Sequence, residues 1–138
     1  MGRRWQVFIA PGEEDDDLPV EESPWNIGRE ARLPKEHWDL IVELAKNNDP
    51  ELGVLLEQIA YLDGDFSQWN EKKTKKLYKG LKQLCFTIDK SEPLAPEVSN
   101  EIPEDHPPED HILMVRTVMA VIEESQRMGE MFDSYIDS

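Results

Sequence analysis

PKEHWDLIVELAKNNDPELGVLLEQIAYLDG, residues 34–64, is the stretch on which the fold turns. Its apolar residues do not alternate; they recur every three or four positions. Trp38, Ile41, Val42 and Ala45 form a stripe widened by Leu40 and Leu44, and Glu36, Asp39, Glu43 and Lys46 fall on the other side. That period marks an amphipathic helix with one face turned to a core. Asn47-Asn48 ends it, and Asp49-Pro50 begins another. An Asp side chain accepts hydrogen bonds from the first-turn amides, and proline suits the first helical position, where its missing N–H has no partner to lose. Leu52, Leu55, Leu56, Ile59 and Leu62 continue in phase, and Asp63-Gly64 supplies a stop. The stretch predicts two helices joined by a tight connection, a helical hairpin.

Working outward toward the amino end, Trp5, Val7 and Ile9 alternate with Gln6, Phe8 and Ala10, and Pro11-Gly12 follows. This predicts one short strand on an extended N-terminal arm, with no ladder partner evident in the sequence. Residues 13–24 carry seven acids and no base, so 11–24 reads as an acidic loop. Trp25 stands between that loop and the first helix, outside any helical stripe.

Toward the carboxyl end, Leu77, Leu81 and Leu84, with Tyr78 and Cys85 beside them, predict a third helix. It starts between Phe66 and Glu71 and runs to about Phe86. Its solvent side carries Lys72, Lys73, Lys75, Lys76, Lys79 and Lys82. Residues 89–107 are rich in proline and acid, which no helix survives. A last helix spans about Pro108 to Phe132. In its first half Ile112, Val115, Met119 and Ile122 share a face. Met128, Met131 and Tyr135 then fall on another, with Ser125 and Gly129 between. The expected architecture is mainly α: a single domain over 1–138, a small bundle of about four helices with an extended N-terminal arm and one short strand. A chain of 138 residues buries roughly 70% of its unfolded surface, enough for a core without staples.

Thirty acidic against fifteen basic residues give a formal charge of −15. A field of that sign repels nucleic acid and anionic membranes and attracts basic partners. The single cysteine, Cys85, makes no internal disulfide, and no segment reads as a signal peptide or a membrane span. A cytoplasmic protein is expected.

Three stretches carry residues of candidate chemistry, each with a plainer structural explanation beside it. EDHPPEDH, residues 104–111, places His106 and His111 beside Glu104, Asp105, Glu109 and Asp110. Imidazoles and carboxylates suit a transition metal, which makes a metal-dependent enzyme one alternative. The five-residue spacing across Pro-Pro is not that of a zinc helix, however, and Pro108-Glu109-Asp110 is explained as an acidic helix start. Asp63, Asp65 and Ser67 match three positions of a calcium loop, but the required Gly and bidentate Glu are replaced by Gln68 and Thr74. The lysine-rich helix 72–82 offers nucleic-acid or phosphate binding as a second alternative. No nucleophile motif and no phosphate-cradling glycine loop is present in the sequence. No cofactor and no metal is expected.

The leading expectation is therefore an acidic binding protein that masks or inhibits a basic protein partner. Asp15, Asp16, Asp17, Glu104, Asp105, Glu109 and Asp110 would supply the field, with Trp25 and Tyr135 as aromatic anchors. In size and charge alone, the chain is similar to small acidic helical inhibitors such as the immunity proteins of bacterial toxins, some of which block a nuclease.

Overall fold

The computed structural model describes residues 4–12, 18, 23–59, 71–89 and 108–137. Four helices and four strands follow one another as β1 (Trp5–Ile9), β2 (Asn26–Ile27), β3 (Glu30–Pro34), α1 (Lys35–Asn48), α2 (Pro50–Ile59), α3 (Glu71–Asp89), α4 (Pro108–Met128) and β4 (Asp133–Asp137). The mainly α reading holds. The strand content is larger than expected: the arm is part of a four-stranded antiparallel sheet of order β2-β3-β1-β4.

The hairpin forms as its sequence dictates. Pro34, with φ −56° and ψ 125°, ends β3 and directly precedes α1, so strand passes into helix without a loop. Trp38, Ile41 and Ala45 are buried from α1. Asp49 caps α2, accepting a hydrogen bond from the Leu52 amide at 3.3 Å. Leu52, Leu55, Leu56 and Ile59 are buried from α2. The two helices touch at Gly53, where a Cβ would lie 2.9 Å from the Lys46 Cα. Residues 60–70, including Leu62 and the calcium-like 63–68 stretch, lie outside the described residues.

α3 runs three residues further than its stripe suggests, because Ile88 adds a last buried turn. It packs lengthwise on α4, which buries Met114, Val115, Val118, Val121 and Ile122. Pro108 opens α4, as expected. The helix ends at Met128, short of Phe132. Gly129 takes φ +69° and donates to the Gln126 carbonyl at 3.3 Å, while the Glu130 amide donates to the Ser125 carbonyl at 3.1 Å. This is a Schellman closure. Gly129 therefore accounts for the two stripes of the sequence. The helix stops there, and Tyr135 belongs to a strand.

β1 lies at the centre of the sheet. It pairs with β3 (Phe8 opposite Ala31) and with β4 (Phe8 opposite Ser134). One sheet face meets the helices. There Phe8 meets Trp38 edge-on, with centroids 5.3 Å apart, and lies 6.3 Å from Phe132. Ala31 and Leu33 join them in the core. The buried Gln6 amide donates to Ser134 Oγ at 3.0 Å, tying the two ends of the chain together.

Candidate partner-binding face

Residues alternate across a strand, and residues paired across an antiparallel ladder share a face. With Gln6 and Phe8 turned inward, Trp5, Val7 and Ile9 turn outward. The register adds Arg32 and Tyr135 opposite Val7, Glu30 and Asp133 opposite Ile9, and Asp137 opposite Trp5. Ile27, opposite Glu30, completes the row. The outer face is thus an apolar and aromatic strip rimmed by three carboxylates. Val7 is fully buried yet stands apart from the main core. Trp5, Ile9 and Tyr135 are half-buried, and Ile27 is 57% exposed.

Among the described residues, Arg32 is the one cation in this face. Its guanidinium lies over the Trp5 ring, 5.5 Å from the centroid, and pairs with Asp137. Glu30 is 3.9 Å away. Asp137, as hydrogen-bond partner and counter-charge, raises the Arg32 pKa above its usual value. The pair crosses β1 diagonally and fixes the Trp5 ring. Asp133 is exposed on β4, an edge strand among the described residues.

Two buried polar clusters at opposite ends of α4 lie elsewhere. Glu124 of α4 receives Arg127 at 2.8 Å and Arg29 at 2.8 Å, and Arg29 also donates to the Pro11 carbonyl. The bonds from Arg127 and Arg29 lower the Glu124 pKa to about 2. This cluster clamps the β2–β3 turn and the end of β1 to α4. At the other end of α4, His111 meets His37 of α1, Nε2 to Nδ1 at 3.1 Å, both residues buried.

The residues singled out from sequence scatter over the structure. Tyr135 falls on the outer face. Trp25 packs against the core and its carbonyl accepts from the Arg32 amide, so it is a structural residue as well as a candidate anchor. Glu109 and Asp110 lie in the first turn of α4, and Asp110 is half-buried. Asp15, Asp16, Asp17, Glu104 and Asp105 lie outside the described residues, as do most of 11–24 and 89–107. So does His106. His111, its expected co-ligand, spends Nε2 on His37, and no group of three or more metal-ligating side chains occurs among the described residues. Cys85 is half-buried, and burial raises its thiol pKa, as suits a packing residue. No described helix is long and apolar enough to cross a membrane.

The sequence does not mark Trp5, Ile9, Ile27, Glu30, Asp133 or Asp137 as residues of a candidate face. The alternation Trp5-Val7-Ile9 was readable, but its face has no meaning until the partners of β1 are known. Comparison with protein-family models, with curated proteins and with solved structures finds no match to this chain.

Proposed function

We propose that the protein is a binding protein for a basic protein partner, which it masks or inhibits through the outer face of its sheet. The observation that supports this reading is the composition of that face: Trp5, Ile9, Ile27 and Tyr135 framed by Glu30, Asp133 and Asp137, on a chain of charge −15. Contacts between proteins draw their energy from a few aromatic anchors, with charge at the rim setting encounter rate and choice of partner. A rim of carboxylates selects lysine and arginine. The acids at 15–17, 104–105 and 109–110 add to the long-range field that draws a cation in. A partner whose own ligand is a polyanion, such as a nuclease, would lose access to it when so covered.

The test captures partners from the native cell on immobilised protein, then purifies the captured chain and measures binding with parent and Tyr135→Ala/Asp133→Asn protein. The reading stands if the partner is basic, association slows as salt rises, and the double variant binds at least about tenfold more weakly. It fails if no basic chain is captured, or if the double variant binds the basic chain as the parent does.

A further inference from the structure

The solvent side of α3 opposes the charge of the rest of the chain. Lys72, Lys75, Lys79, Lys82 and Phe86 recur at spacings of three, four, three and four. At 100° per residue they lie within about 80° of arc. That arc is opposite the buried stripe of Thr74, Leu77, Leu81, Leu84 and Ile88. The four lysines are exposed, and Phe86 is 58% exposed. Lys75 is paired within its own helix, to Glu71 at 3.1 Å. Among the described residues, no carboxylate lies within ion-pair distance of Lys72, Lys79 or Lys82.

Such a row has a cost. Lysines three and four apart repel one another and weaken the helix that carries them. A large aromatic left in water at the end of the row adds an apolar patch that the core does not need. The five side chains share one line about 21 Å long, at 1.5 Å per residue. The rhythm of three and four is that of a seam between two helices, where a matching row on a second helix meets each position in turn. A polyanionic strand fits less well. One phenylalanine is a thin platform for stacking bases.

We infer that the Lys72–Lys75–Lys79–Lys82–Phe86 row is a docking surface for an acidic amphipathic helix of a partner protein, a second interaction surface of opposite sign to the sheet face. Its occupant carries Asp or Glu at the same spacing, with an aliphatic side chain placed over Phe86. The inference does not depend on the sheet-face reading.

The probe is a synthetic helical peptide with four Glu at spacings of three, four and three and a Leu four residues on, end-labelled for fluorescence anisotropy. A second peptide of identical composition has its Glu residues scattered around the helix. Protein variants are Lys72→Glu/Lys79→Glu/Lys82→Glu and, separately, Phe86→Ser, each checked by circular dichroism and thermal melting. All four positions are exposed, so folding is expected to survive. The expected result is binding of the in-register peptide roughly tenfold tighter than the scattered one, from several aligned ion pairs. The triple variant abolishes it, and Phe86→Ser weakens it severalfold. Equal affinity for the two peptides, or no binding of either, overturns the inference. So does tighter binding of a single-stranded oligonucleotide through the same lysines. Sedimentation of the protein alone gives the last arm: a dimer abolished by the triple variant would assign the row to a second copy and also overturn it.

Discussion

His37 and His111, 74 residues apart in the chain, face each other across the α1–α4 interface with 3.1 Å between Nδ1 and Nε2. One nitrogen must donate and the other accept. Removing one ring takes from the other its partner in a buried hydrogen bond, at a cost of about 1–3 kcal/mol. It also opens a cavity, since His111 is fully buried. His111→Ala should therefore lower stability at pH 7 by at least about 2 kcal/mol in urea melts. A midpoint equal to the parent's would mean that the contact does not hold α1 to α4.

Glu124 carries the pH dependence that the structure supports. Its pKa is lowered from 4.5 to about 2 by hydrogen bonds from Arg127 and Arg29. The sign is that of a depressed carboxylate: the stabilisation is fully present above the unfolded value and is lost as pH falls through about 2. It is on the order of 2 to 3 kcal/mol, for a side chain only 12% exposed. Glu124→Gln should lose about that much at pH 7, because Arg29 keeps the Pro11 carbonyl but loses its buried counter-charge. The gap between parent and variant should narrow as pH falls from 5 toward 3. A constant gap over that range would mean the loss is one of packing, not of charge.

The hairpin gives a packing prediction. Gly53→Ala forces a Cβ to within 2.9 Å of the Lys46 Cα, a backbone atom that moves only if α1 moves. A cost of about 1–3 kcal/mol is expected, as for other overpacked sites. Ile59→Ala, at a fully buried position, should cost about 2–5 kcal/mol. Val54→Ala, 52% exposed on the same helix, should change stability by less than about 0.5 kcal/mol. Denaturant midpoints for the three variants decide the matter. Similar small shifts in all three would mean that α2 does not pack as described.

The helices were legible because each carries its own signal. Asp49-Pro50 marks a start, Pro108 marks another, and the stripes of α1 and α2 repeat over several turns. The sheet was not legible, because its signals are short and lie at the two ends of the chain. Glu30-Ala31-Arg32-Leu33 alternates over four residues only, and it runs directly into the helix that Pro34 begins. Asp133 to Asp137 follows a helical stripe so closely that Tyr135 reads as its continuation. Only the positive φ of Gly129, which a sequence does not display, separates the two. The His37–His111 contact likewise exists only once α1 and α4 are packed. The outer face inherits this difficulty: its residues come from positions 5–9, 27–32 and 133–137, which nothing in the linear sequence joins.

The proposed partner face leads to a kinetic prediction with separable parts. Rim charges act on encounter, whereas desolvated aromatic anchors act on residence time. Asp133→Asn, at an exposed position, should therefore slow association at low salt and leave dissociation almost unchanged. Neutralising Asp15, Asp16 and Asp17 together should do the same from a distance. Both differences should fade above roughly 0.5 M salt, where the Debye length is only a few ångströms. Tyr135→Ala should act oppositely, speeding dissociation at every salt concentration with little effect on association. Trp25→Ala is the informative contrast. Because Trp25 packs against the core, its loss should lower the melting temperature, and any loss of binding should track loss of folded protein. Trp5→Ala removes an anchor and also the ring beneath Arg32, which leaves the guanidinium held by Asp137 alone and looser on the face proposed to receive a cation. It should therefore cost both association and residence time. The measurement is surface binding kinetics against the purified partner across a salt series, with thermal melts of every variant beside it. Association that does not vary with salt in the parent would sink electrostatic masking. A partner insensitive to Trp5, Asp133 and Tyr135 but sensitive to the acids at 15–17 would move the contact off the sheet while keeping its charge.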